Sequence, residues 1–176
     1  MRTPRSCALA LLLALSAHPA EAPADDPCAG FKWDVSRERA LFATAGATLS
    51  AGKDLASAPS VAPNHLYRVV LLPASQVAFA VTPGKTSPAD ASYAGVFALT
   101  VPAAGKYRVA IDAAFWIDIA ANGKLLSPSD YEGQHDCNAP RKIVEFVLDG
   151  KAPWVLQLSG ASQAAVRLTI TPASIG

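Results

Sequence analysis

Four side chains within one apolar stretch are the first candidates for a binding site. They lie in residues 106–119, which we predict to form one long strand, and are Arg108, Asp112, Trp116 and Asp118. Alternation along a strand places all four on one face and the apolar residues of the stretch on the other. A tryptophan beside such groups can bind a sugar, because the indole stacks on C–H surface while charged groups hydrogen-bond to hydroxyls.

The same residues allow a structural interpretation, which stays open beside the first. If Ala113 and Ala114 form a bulge, Trp116 turns inward and becomes part of the core. Arg108 and Asp112 are then a same-face ion pair, which contributes little to stability at a surface.

Residues 130–137, a polar segment that we expect to form a loop, hold the second group of candidates. His135 in this segment and Arg141 just after it are candidate ligand-binding residues. His135, Asp136 and the distant His65 offer the imidazole and carboxylate groups that bind zinc, copper or iron. A divalent metal is therefore an alternative, although the sequence has no His-x-His or His-x-x-x-His pair. We predict no cofactor.

Signals of catalysis are weak. The nucleophile motif Gly-x-Ser-x-Gly is absent. Asp112 and Asp118 lie about 20 Å apart along a continuous strand, whereas paired glycosidase carboxylates lie roughly 5 to 9.5 Å apart. We therefore favour a non-catalytic protein.

Short runs rich in Val, Leu, Ile and Phe recur from residue 67 onward, between clusters of Pro, Gly, Asn, Asp and Ser. This spacing is typical of sandwiches and barrels, and several runs alternate apolar with polar residues as half-buried strands do. Asn122 and Gly123 predict a tight hairpin. The predicted strands are residues 67–72, 76–81, 93–101, 106–119, 124–126, 143–148, 154–159 and 165–171.

These strands predict an all-β protein. We expect residues 64–176 to form a single antiparallel β-sandwich of about eight strands, with jelly-roll or Greek-key topology. Residues 25–63 are expected to be a lead-in that holds one short helix at most, over residues 37–43, capped by Asp34 or Ser36. Within the lead-in, residues 46–63 are rich in small residues and proline, which predicts an extended or covering loop.

Residues 1–24 have the three parts of a secretory signal peptide. Arg2 and Arg5 give a positive start, residues 7–17 are apolar, and small residues at 22 and 24 form a cleavage site. The apolar run falls short of the roughly 20 residues needed to cross a bilayer. We therefore predict a periplasmic or secreted protein with no membrane span.

Cys28 and Cys137 remain after cleavage of this segment. An isolated pair in an oxidising compartment forms a disulfide by default, which is our prediction. A reactive thiol is the functional alternative.

The composition excludes two classes of protein. Hydrophobic residues make up 51% of the chain and charged residues 16%, which is too apolar for a disordered chain. Lys and Arg number 15 against 14 for Asp and Glu, and neither sign is clustered. The basic surface that binds nucleic acid is therefore missing.

Several of these segments together resemble a family of small exported proteobacterial β-sandwich proteins. The likeness covers residues 77–171, and its most specific elements are Trp-Ile-Asp at 116–118, His135 with Cys137, and Arg-Lys at 141–142. Most members are of unknown function, and some carry the name homogentisate 1,2-dioxygenase. The resemblance implies a periplasmic β-sandwich.

Three functions from different classes remain open. The first is binding of a small molecule, a glycan or an envelope protein through side chains around Trp116, Asp118 and His135. The second is a structural or interaction protein of the cell envelope that pairs through an exposed strand edge. The third is a metal-dependent oxidoreductase, of the dioxygenase type, that uses His135 and His65.

Overall fold

The structure, a computed structural model, describes residues 26–85, 92–151 and 153–173, and the fold within these ranges is mostly β-sheet. The predicted signal peptide lies outside the described residues. The prediction of an all-β fold is confirmed.

The described residues contain one α-helix, two short 3₁₀ turns and twelve strands. The helix, α1, spans Ser36–Phe42, and the 3₁₀ turns span Leu55–Ser57 and Ala74–Gln76. The strands are β1 (Ala47–Ser50), β2 (Ser60–Val61), β3 (Leu66–Val70), β4 (Leu72–Pro73), β5 (Tyr93–Leu99), β6 (Gly105–Ile111), β7 (Trp116–Ala121), β8 (Lys124–Leu126), β9 (Asp130–Gly133), β10 (Lys142–Leu148), β11 (Trp154–Ala161) and β12 (Ala165–Pro172).

The strands form two sheets that face each other as a sandwich. Sheet A has the order β1-β3-β12-β6-β10-β9, and sheet B has the order β2-β5-β11-β7-β8 with β4 also beside β5. Two of the pairings are parallel, β1 with β3 and β2 with β5. The prediction of a purely antiparallel sandwich is wrong at these two pairs, because the lead-in, expected to be a loop over residues 46–63, adds one short strand to each sheet.

One hydrophobic cluster fills the space between the sheets. Sheet A contributes Val109 and Leu168, sheet B contributes Phe97, Ile119 and Leu156, and all five are fully buried. Neighbouring residues on each strand point to the outer faces, which we define as the faces turned away from the other sheet. Burial of this apolar surface is the main source of stability for the fold.

The N-terminal segment, residues 28–42, covers the outer face of sheet A. Phe31 and Phe42 belong to a second apolar cluster that includes Ala110 and Ile143 of the sheet. The helix Ser36–Phe42 confirms the predicted helix to within one residue. The predicted cap is wrong, because the N-cap residue is Val35, whose side chain makes no capping bond; Asp34 Oδ1 instead accepts a hydrogen bond of 2.9 Å from the Ser36 amide.

The predicted strand at residues 76–81 is wrong. Ala74–Gln76 is a 3₁₀ turn, and residues 77–81 pair with no strand. The Gln157 side chain takes the place of a strand partner: its Oε1 accepts from Val81 N at 3.1 Å, and its Nε2 donates to Val81 O at 2.9 Å. We call residues 77–85 the strap, because they cross the outer face of sheet B.

The predicted single strand at residues 106–119 is also wrong. It is two strands, β6 in sheet A and β7 in sheet B, separated by a corner at residues 112–115. At the corner the Asp112 carboxylate accepts hydrogen bonds from Arg167 N at 2.8 Å and from Arg167 Nε at 2.7 Å. The pairing of β6 within sheet A ends at this point, and the chain turns toward sheet B.

Two further expectations concern turns and loops. The predicted hairpin at Asn122 and Gly123 is confirmed, since both residues have positive φ (51° and 71°) between the paired strands β7 and β8. The polar segment 130–137 is not wholly a loop, because its first four residues are β9, the edge strand of sheet A.

None of the helical segments within the described ranges has the length and apolarity needed to span a bilayer.

The structure joins Cys28 to Cys137 in a disulfide that ties the N-terminal segment to the loop before β10, across 109 residues of sequence. We expect the variant Cys28→Ala/Cys137→Ala to lose about 2 to 5 kcal/mol in free energy of unfolding, because its unfolded chain is less constrained. Urea denaturation under oxidising conditions measures the difference. Dithiothreitol should destabilise the wild type and leave the variant unchanged; equal unfolding midpoints without reductant would contradict the prediction.

Candidate functional site

The six residues predicted to bind a ligand fall in four separate places. They are Trp116 with Asp118 on the outer face of sheet B, Arg108 on the outer face of sheet A, Asp112 at the corner after β6, and His135 with Arg141 in the loop before β10. The predicted common face does not exist, because the corner sends the two halves of the stretch to different sheets.

Arg108 belongs to a polar network on sheet A. Its Nε lies 3.4 Å from Glu145 Oε2, and its guanidinium carbon lies 4.7 Å from the centre of the Trp33 ring. Burial raises the pKa of Glu145, but hydrogen bonds from Lys106, Ser129 and Arg108 outweigh it and hold the pKa below its ordinary value. The Arg108 side chain therefore stabilises a buried carboxylate.

The predicted ion pair between Arg108 and Asp112 is wrong. Asp112 bonds to Arg167, which lies on β12, the strand beside β6. Arg167 also donates to the backbone oxygens of Phe42 at 3.3 Å and Asn138 at 3.4 Å. Asp112 thus fixes the corner of the sandwich.

The interpretation of Trp116 as an inward-turned core residue is wrong. Its neighbour Ile117 points into the core, and Trp116 stays partly exposed on the outer face of sheet B. Trp116 Nε1 donates to Asp118 Oδ1 at 2.9 Å, and the Gly84 amide donates to Asp118 Oδ2 at 3.0 Å. Asp118 therefore holds the indole and the strap together.

Burial raises the pKa of Asp118, and the hydrogen bonds from Gly84 and Trp116 offset only part of this effect. Gly84 lies directly against the pair: a Cβ at this position would be 3.1 Å from Trp116 Nε1 and 3.2 Å from Asp118 Oδ1. The strap approaches this closely because residue 84 has no side chain.

Two adjoining cavities share Trp116 and Lys142 as lining residues. The first, about 280 Å³, is mostly apolar and is also lined by Pro128, Tyr131 and Val144. Tyr131 is 68% exposed, so a second aromatic ring faces solvent beside this cavity.

The second cavity, about 240 Å³, has a different chemical character. Its lining includes Lys85, Lys142 and Ser159. Lys142 Nζ lies 5.0 Å from the centre of the Trp116 ring, and Lys85 Nζ lies 5.9 Å from it. Two ammonium groups therefore lie beside one indole ring.

Lys142 is half-buried, and its Nζ donates to the backbone oxygen of Phe115 at 2.8 Å. Burial lowers the pKa of Lys142, and the positive charge of Lys85 lowers it further, while Asp118 acts in the opposite direction.

Lys85, Lys142 and Ser159 were missed as candidates from the sequence. One sequence feature could have indicated Lys142, namely its place in the Arg-Lys pair before an apolar strand. Ser159 joins the site through the register of β11, which pairs it with Trp116 of β7. Lys85 joins through the strap, and no local pattern in the sequence shows where the strap lies.

The residues proposed for a metal do not come together. His135 Nδ1 lies 3.0 Å from an Arg141 guanidinium nitrogen, whereas His65 lines a hollow of about 430 Å³ beside Leu41 and Asn64. Among the described residues, no three His, Cys, Asp or Glu side chains are arranged to hold a metal ion. That hollow is larger than either Trp116 cavity, but it offers fewer charged groups.

Fold and site together define an all-β, sandwich-like protein with an aromatic and cationic site to which both sheets contribute, Trp116 and Ser159 from sheet B and Lys142 from sheet A. Comparison with protein-family models, with curated proteins and with solved structures finds no match to the chain. The resemblance to the exported proteobacterial family stays a prediction.

The lowered pKa of Lys142 has a measurable consequence for stability. The folded protein loses the Lys142 proton at a lower pH than the unfolded chain does, whose value is near 10.5. Wild type should therefore gain stability relative to Lys142→Met as the pH rises from about 8 toward 10.5. Urea denaturation across this range measures the difference. The exposed Lys124→Met is the control for loss of one lysine charge, and a trend of opposite sign for Lys142→Met would refute the assignment.

Proposed function

We propose that the protein is an exported, non-catalytic β-sandwich that binds a saccharide through Trp116. One observation carries the proposal: the indole is held partly exposed at the edge of a cavity by Asp118 and is not buried in the core. Orienting an exposed tryptophan in this way lowers the conformational entropy that its side chain would otherwise lose when a ligand stacks on it.

The first cavity supports a saccharide as the ligand. Trp116 and Tyr131 offer aromatic surface to the C–H faces of sugar rings, and Lys142 lies beside them to hydrogen-bond hydroxyls. The two cavities, about 280 and 240 Å³, together fall within the roughly 300–1,000 Å³ of small-molecule sites.

Two features support an exported location. The disulfide between Cys28 and Cys137 persists in an oxidising compartment, as outside the cytosol. Residues 1–24 have the pattern of a secretory signal peptide.

The side chains of the site support binding over catalysis. Within the described residues the Ser159 hydroxyl has no hydrogen-bond partner, and Lys142 Nζ donates to a backbone oxygen. A serine nucleophile is activated by a hydrogen bond to a neighbouring base, and this pair does not make one.

Binding can be tested by isothermal titration calorimetry with two saccharides, neutral cellotetraose and acidic tetragalacturonate. We expect at least one of them to bind the wild type, and Trp116→Ala to weaken that binding about tenfold or more, since the variant loses the stacking surface. Trp33→Ala is the matched control, because Trp33 lies over the other sheet beside Arg108. Thermal melting of each variant checks that it is folded.

If neither saccharide binds the wild type, or if Trp116→Ala and Trp33→Ala bind equally well, the proposal is wrong. Crosslinking in cells then tests the alternative function, an interaction protein of the envelope, by recovering a defined partner.

A further inference from the structure

We propose that the saccharide bound at Trp116 is acidic, and that its carboxylate binds in the second cavity between Lys85, Lys142 and the Ser159 hydroxyl. The ligand class is a uronic acid unit, which joins a sugar ring to a carboxylate. This inference rests on the proposed function and specifies the ligand of the same site.

The first support is an excess of positive charge. Lys85 and Lys142 both line the second cavity, and neither forms an ion pair with a carboxylate of the described residues. Asp118 is the nearby carboxylate, but its two oxygens accept hydrogen bonds from Trp116 and Gly84. Asp118 offsets part of the positive charge on Lys142, and an anion placed between the two ammonium groups would neutralise more of it.

The second support is independent and comes from Ser159. Its side chain is about nine-tenths buried, with a relative exposure of 6%, and among the described residues its Oγ has no hydrogen-bond partner. A buried hydroxyl without a partner is unfavourable, so such groups are nearly always satisfied by protein, water or ligand. Ser159 lines the lysine cavity, but its Oγ itself has almost no accessible surface, so the hydroxyl reaches a carboxylate oxygen only if its side chain rotates toward the cavity.

The third support is that the two cavities lie side by side. Trp116 and Lys142 line both, so a ligand ring in the first cavity lies next to a charged substituent in the second. A uronic acid has this arrangement, because its carboxylate is attached directly to the sugar ring. A neutral sugar would occupy the aromatic cavity and leave Lys85 and Ser159 without partners.

A pair of ligands that have the same sugar rings and differ at the carboxylate tests the inference. Tetragalacturonate and its fully methyl-esterified form have the same rings, and calorimetry compares their affinities. We expect the acid to bind about tenfold or more tightly than the ester, and the difference to shrink as salt is added.

Protein variants locate the effect. Lys85→Met should weaken binding of the acid by about fivefold to tenfold and change binding of the ester by less than about twofold. Lys142→Met should weaken the acid more than the ester, because Lys142 lines both cavities. Lys124→Met removes the same charge from the exposed end of β8 and should leave both affinities unchanged. Ser159→Ala should weaken binding of the acid without lowering the unfolding midpoint, because it removes a hydroxyl that has no partner among the described residues.

The outcomes separate the two proposals. If acid and ester bind equally and Trp116→Ala weakens both, the anionic ligand is refuted while saccharide binding stands. If Lys124→Met weakens the acid as much as Lys85→Met, the attraction is general and the lysine cavity is not the site. If neither form binds, the acidic ligand is refuted, and saccharide binding also falls if cellotetraose does not bind.

Discussion

The placement of the site depends on the point at which β6 ends. The Asp112 carboxylate binds the backbone and side chain of Arg167, and Arg167 also reaches the end of α1 and the loop before β10. These bonds fix the corner at which β6 of sheet A ends and the chain continues to β7 of sheet B. Trp116 and Arg108 consequently lie on opposite outer faces of the sandwich, under different covering segments.

Most of the strands follow from sequence alternation, and the errors have physical causes. The alternation of apolar residues does not reveal the break between β6 and β7, because both strands face the same core. Val109 and Ile111 point inward from sheet A, and Ile117 and Ile119 point inward from sheet B. Residues 76–81 alternate like a strand, but a side chain, Gln157, takes the place of a strand partner. The short strands β1 and β2 lie in a stretch of small residues and proline, which gives no alternation to detect.

The candidate site could be predicted only where its parts lie close in sequence. Trp116 and Asp118 are two residues apart on one strand, so alternation alone puts them on one face. Lys142 and Ser159 reach Trp116 through the stacking of sheets and the register of β11, which depend on contacts distant in sequence. The same dependence separates Arg108 from the site, although it lies nearer to Trp116 in sequence than either of them does.

The disulfide between Cys28 and Cys137 also determines how the chain carries mechanical load. Tension applied between the two ends of the described chain enters at residue 26, reaches Cys28, and passes through the sulfur bridge directly to Cys137. Residues 29–136 lie inside the closed loop and carry no tension, so β1 to β9 and most of the Trp116 site cannot be extended. Among the described strands, β10, β11 and β12 alone lie on the loaded path, so that path includes Lys142 and Ser159 but not Trp116.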